Sequence, residues 1–230
     1  MKLINLFIIL LLIFSCSNKK NIAEFEKVLG KENSKTLTYL VNDFESDFLK
    51  RQYPNLNTKS AYKQFLTELI KEDTEYWNKF SKSSRKIFEK SDLRLEVYSV
   101  PDSIWIERDP KKLTLSYNGV PMLKIRRKYL LPDGTFGYNT SESSFRYKDP
   151  INVDSIIESR KNWIDINYVG SYSRALNSIT NKSDYLTKYL DIREAAGIIH
   201  PFIIAGGMLK SKVDFNDYFI KRLIITEIVY

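Results

Sequence analysis

The sequence predicts an α+β fold, and three observations predict it. Apolar residues recur at three and four positions through residues 22–91, alternate from Leu93 to roughly Tyr147, and return to helical spacing after Pro150. Helices segregated in sequence from strands favour this class over a parallel α/β arrangement. The expected architecture is N-terminal helices, a central antiparallel β-meander, and C-terminal helices packed on the sheet. Apolar residues make up 43% of the 230-residue chain and aromatics 13%, which is enough for a core. Residues 22–230 read as a single α+β domain, with a helical layer over 22–91 and the meander and C-terminal helices over 92–230.

Ile22 to Leu29 is expected as a short helix with Ile22, Phe25, Val28 and Leu29 on one face and Gly30 at its end. Asn33 or Ser34 is the expected cap of a longer helix. That helix carries Leu37, Leu40, Val41, Phe44, Phe48 and Leu49 and stops at Tyr53, ahead of Pro54. Thr58 opens a third helix with Ala61, Tyr62, Phe65, Leu66, Leu69 and Ile70 on one stripe. Trp77, Phe80, Ile87 and Phe88 continue the pattern, broken at Ser81 to Ser84.

From Asp92 the period changes. Leu93, Leu95 and Val97 read as a strand, Pro101-Asp102-Ser103 as a turn, and Ile104 and Ile106 as the next strand. Leu113, Leu115 and Tyr117 run into Asn118-Gly119, a strong hairpin signal. A two-residue loop there sets Tyr117 opposite Val120 and Ser116 opposite Pro121, and Pro121 then implies a free edge. Met122 to Leu131 is the return strand, and Pro132-Asp133-Gly134 turns into Thr135 to Tyr138, making four or five strands in all.

Beyond Pro150, Asn152 or Asp154 caps a helix with Ile156, Ile157, Arg160 and Trp163. Ser171 to Ile179 is another, and Ser183 caps a third that Gly197 closes. His200-Pro201 has the form of a cap followed by proline at the first helical position. Gly206-Gly207 suggests a close approach of another element, and Asp214 is the expected cap for Phe215 to Phe219. Periodicity leaves Leu223 to Tyr230 open between strand and helix.

The first sixteen residues have a different character. Lys2 is followed by the apolar run Leu3 to Phe14, interrupted only by Asn5, and then by Ser15 and Cys16, the single cysteine. A charged head, an apolar middle and a small residue at the cut form a secretory signal. The run is too short to span a bilayer, which takes roughly 20 residues. Ile13-Phe14-Ser15-Cys16 resembles the lipobox of bacterial lipoproteins. The resemblance implies that residues 1–15 are a cleaved signal peptide and that Cys16 is lipidated. Residues 16–21 are then the lipidated cysteine with a polar tether, Ser17 to Asn21. Ser17 after the cysteine is similar to the outer-membrane sorting pattern of Gram-negative bacteria. Lipidation leaves the mature fold without a thiol for disulfide, catalytic or metal chemistry.

The formal charge of +8 invites a nucleic-acid reading. Its spread argues otherwise. Residues 16–91 hold 15 basic and 11 acidic side chains, and residues 92–230 hold 20 and 17, with no basic arm. Lys124, Arg126, Arg127 and Lys128 are the densest basic run outside the tether. They are candidates for contact with an acidic protein or a lipid headgroup, set against a solvated strand edge that discourages pairing.

No phosphate loop, dinucleotide fingerprint, nucleophile elbow or calcium loop is present, and no cofactor or metal site is expected. His200, the one histidine, reads as a cap. Asp102, Glu107 and Asp109 are candidates for a glycosidase-like carboxylate pair, and Trp163, Tyr168 and Tyr172 for a sugar-stacking shelf. Asp214 and Asp217 share a spacing that a helix N-terminus explains. The expected function is a lipid-anchored envelope protein acting as a non-catalytic binding or assembly module. The alternative is a glycan-directed envelope hydrolase using the meander carboxylates or His200.

Overall fold

The computed structural model describes residues 18–71, 79–117, 119–144, 152–179 and 183–230. The leader with Cys16, Trp77, Asn118 and Tyr147 lie outside the described residues. The fold is α+β, with an antiparallel four-stranded sheet. It forms two compact units. One comprises residues up to Arg94 together with Ser171–Tyr230, the other Leu95–Gly170.

The first unit opens with helix α1 (residues 18–29), which buries Phe25 and Leu29 and ends at Gly30, φ 87°. The expected tether over Ser17 to Asn21 is therefore helical from residue 18, and Asn21 is already buried. Helix α2 (Lys31–Asp43) starts directly after Gly30, so neither Asn33 nor Ser34 caps it. Both turn back to α1 instead. Asn33 Nδ2 donates to the Leu29 carbonyl at 3.3 Å and Ser34 Oγ to the Glu26 carbonyl at 3.4 Å. The Glu26 carbonyl already accepts the Gly30 amide at 2.9 Å, so Ser34 adds a second donor to the end of α1.

A π-helical stretch, Phe44–Leu49, and a last turn, Lys50–Gln52, prolong α2 to the stop before Pro54. Helix α3 (Thr58–Lys71) buries Ala61, Tyr62, Phe65, Leu66 and Leu69, while Ile70 stands 44% exposed. Phe44, Phe48, Phe65 and Phe80 form one ring cluster, with every centroid pair 4.9–6.0 Å apart. Such contacts add to the area they bury. Ser81 caps helix α4 (Lys82–Lys90), which buries Phe88 and leaves Ile87 outside. Ser84 Oγ donates to Asp43 Oδ2 at 2.6 Å. Helix α5 (Asp92–Val97) takes the place of the expected strand, since Leu93 and Val97, four apart, are both fully buried.

The second unit is the sheet. Strands β1 (Tyr98–Ile106), β2 (Leu123–Leu130), β3 (Phe136–Ser143) and β4 (Asp165–Ile166) stand in the order β3-β2-β1-β4. Pro101-Asp102-Ser103 is no turn. Pro101 faces Arg127 and Ser103 faces Arg126, so Asp102 is the extra residue of a bulge in a continuous strand. Three positions separate Ser116 from its hydrogen-bonded partner Val120. Ser116 N–H donates to the Val120 carbonyl, Gly119 N–H to the Ser116 carbonyl, and Leu115 faces Pro121. Gly119 takes the positive φ of 75° that such a loop requires. Pro132-Asp133-Gly134 repeats the design, with Gly134 at φ 82° and Asp133 Oδ1 accepting from the Thr135 amide. Helix α6 (Val153–Arg160), capped by Asn152, packs against β1.

Asn167 closes this unit. Its side chain donates to the Leu95 and Leu130 carbonyls at 2.8 and 2.7 Å and accepts from the Val169 and Gly170 amides at 3.2 and 3.0 Å. Its own amide donates to the Val97 carbonyl.

The first unit resumes with α7 (Ser171–Asn177) and α8 (Asp184–Ala196), the latter capped by Ser183 and closed by Gly197. Next come α9 (Pro201–Lys210), capped by His200, and α10 (Tyr218–Ile224). The cap of α10 is Asp217, whose Oδ1 accepts from the Phe219 and Ile220 amides. Asp214 instead accepts from the Asn216 amide and pairs with Lys59 at 2.9 Å. Gly206 and Gly207 are not forced by close packing. A methyl group would meet Ile70 at 3.9 Å and Tyr185 at 3.5 Å, both ordinary contacts. The C-terminal run is helical, ending in a buried π-helical turn, Ile225–Val229.

Candidate functional site

The basic run lies on β2, which is paired on both sides, so the free edge expected there does not exist. Pro121 precedes β2 and opposes Leu115 in the hairpin loop. Alternation along the strand puts Lys124, Arg126 and Lys128 on one face and Arg127 on the other. Arg127 is buried, donating to the Trp163 carbonyl at 3.2 Å and Ser141 Oγ at 2.5 Å. It is part of the packing and offers nothing to a partner.

Of the other three cations, Lys124 and Arg126 meet acids brought by β1, β3 and the loop after β1. Arg126 Nε donates to Asp102 Oδ2 at 2.9 Å, with Nη2 on the same oxygen. Lys124 Nζ lies 3.6 Å from Glu107 and 4.0 Å from Glu142. Lys128 Nζ sits 3.5 Å from the centre of the Phe136 ring, and the Arg126 guanidinium 5.3 Å from that of Tyr138. Phe136 and Tyr138 remain about half exposed. The face is thus an aromatic and cationic surface whose charge is largely matched from within, with Lys128 making no ion pair among the described residues.

Asp102 and Glu107 are both committed to this ladder. The Arg126 hydrogen bond holds the Asp102 carboxyl below its usual value, and the Asp109 amide does the same for Glu107. A general acid needs the opposite shift. Asp109 Oδ1 accepts from the Lys111 amide. His200 is exposed, and its Nδ1 accepts from the Phe202 amide at 3.4 Å. Trp163 and Tyr168 are 42% and 48% exposed, but Tyr172 is fully buried and bonded to Thr226, so the three form no shelf. Among the described residues no group of three His, Cys, Asp or Glu side chains could hold a metal, and no helix is long and apolar enough to cross a membrane.

A second polar constellation escapes sequence reading altogether. Arg193 Nε lies 3.7 Å from Glu227 Oε1, with side chains only 3% and 4% exposed. Arg193 Nη1 also donates to Ser173 Oγ at 3.0 Å, and Tyr172 and Thr226 share a hydrogen bond of 2.7 Å close by. Burial raises the Glu227 carboxyl, Arg193 opposes that, and burial also raises the hydroxyl of neighbouring Tyr189. The partners are 34 residues apart, on α8 and the π-helical turn, a spacing that no local pattern signals. Enclosure on all sides makes this cluster a part of the core.

Comparison of the chain with protein-family models, with curated proteins and with solved structures finds no match in any of the three.

Proposed function

We propose that this is a lipid-anchored cell-envelope protein, held through Cys16 in the outer membrane of a Gram-negative bacterium and serving as a non-catalytic binding or assembly module. One observation carries the reading: Lys2, the apolar run Leu3 to Phe14, and Ser15-Cys16 succeed one another in the order of a lipoprotein leader. The engagement of Asp102, Glu107 and His200 in local hydrogen bonds supports a role without chemistry. Replacing Cys16 with alanine should abolish labelling by a palmitate analogue and leave the leader uncut. A variant labelled as strongly as the parent refutes the anchor.

The partner surface in this reading is the open sheet face, with Arg126 and Lys128 beside Tyr138 as contacts for an acidic protein. Reversing Arg126 and Lys128 to glutamate should weaken capture of that partner from solubilised membranes, and most strongly at low salt. The reversal sets a carboxylate beside Asp102, so circular dichroism and a thermal melt accompany the capture, and a binding loss with the fold intact is the expected result. Equal capture at low salt would leave the ladder as a solvated face.

A further inference from the structure

A groove runs between α1 and α2. It holds about 700 Å³ and is lined by Lys27, Lys31 and Lys35, with the hydroxyl-bearing Ser34, Thr38 and Tyr39 between them. Lys27 and Lys31 make no ion pair among the described residues, and Lys35 pairs with exposed Glu32 at 2.8 Å. The one acid in the lining, Glu26, accepts a hydrogen bond from Tyr218 at 2.6 Å. Lys20 lies seven residues before Lys27 and joins its stripe, opposite the buried Phe25 and Leu29.

Two facts select the occupant. Helix begins by residue 18, two positions after Cys16, so a lipid on that cysteine leaves little chain between bilayer and fold. Lys27 and Lys31 are nine and thirteen residues further on, within about 20 Å along the helical rise of 1.5 Å per residue. We propose that this lysine-lined groove is the face by which the anchored protein lies against an anionic bilayer, the lysines meeting lipid phosphates. The proposal rests on the lipid-anchor reading and adds an orientation to it. Tyr39, 43% exposed at the groove, has the amphipathic ring that suits the headgroup level. Each lysine near an anionic surface gains enough to multiply residence about fivefold, and the gain fades within a Debye length.

The test uses the full chain in vesicles of phosphatidylcholine, alone or mixed with phosphatidylglycerol. Amine acylation followed by digestion and mass spectrometry reads each lysine, with exposed Lys210 on α9 as the internal reference. Labelling of Lys27, Lys31 and Lys35 should fall several-fold relative to Lys210 on the anionic vesicles and recover with added salt. The Lys27→Glu, Lys31→Glu variant should keep its helical circular dichroism and lose the protection at Lys35. Lysines labelled alike on both vesicles overturn the proposal. The same spectra report the lipid mass on the Cys16 peptide. Protection without that mass upholds the face and overturns the anchor; the mass without protection does the reverse.

Discussion

Replacing Glu227 with alanine should destabilise the helical unit by about 3–5 kcal/mol, because the change removes the carboxylate that faces the buried Arg193 charge. Bulk water does not reach the pair, whose side chains are 3% and 4% exposed. Replacing both residues with apolar ones of similar volume, Arg193→Met with Glu227→Leu, should recover most of the loss, since each desolvation penalty disappears with its charge. Chemical denaturation of the parent, the two singles and the double gives the coupling directly. A double variant less stable than both singles would mean that the pair holds the fold, not merely itself.

The same pair gives the pH dependence its sign. Glu227 has a folded pKa above its ordinary value, so the native chain holds that proton more tightly than the unfolded chain. Its contribution is complete below the ordinary carboxyl pKa and is lost as pH rises through the raised one. The stability of the parent minus that of the apolar double variant should therefore fall with rising pH across that window. A difference independent of pH would show that Glu227 titrates as it does in the unfolded chain.

Local chemistry was legible where one residue decides it. Asn152, Ser183 and His200 cap the helices they precede, and Pro132-Asp133-Gly134 turns as its composition requires. Errors arose where two local structures share a pattern. Leu93, Leu95 and Val97 alternate, yet Leu93 and Val97 are also four apart, and the buried helical pair won. Pro101-Asp102-Ser103 has turn composition, but a bulge accepts the same residues inside a strand. Ser116 pairs with Val120 and Leu115 with Pro121, one position off the register of a two-residue loop, which removes the argument for an edge. For the basic run, alternation said that half would face one way. It did not say that Asp102, Glu107 and Glu142 would arrive from other segments to match the exposed half.

The sheet unit should depend as heavily on Asn167, whose replacement by alanine is expected to cost about 3 kcal/mol or more. Four hydrogen bonds converge on one amide that is 2% exposed. Without it the Leu95 and Leu130 carbonyls lose a donor, and the Val169 and Gly170 amides lose an acceptor. Each buried group left without a partner costs about 1–3 kcal/mol, less whatever water or relaxation restores. Aspartate is nearly isosteric but brings no donor, so it should keep the two amide contacts and still fail at the carbonyls, adding charge repulsion where nitrogen stood. Gly170 secures the same corner. A Cβ there would stand 2.6 Å from Asn167 Nδ2 and overlap the Glu96 carbonyl, so Gly170→Ala must move the hub itself. Hydrogen exchange should find the amides of β1 and β2 opening together in both Asn167→Ala and Gly170→Ala, with the Phe44–Phe65 ring cluster of the helical unit less affected. Protection lost equally across both units would show one cooperative fold, with Asn167 no more than one contributor among many.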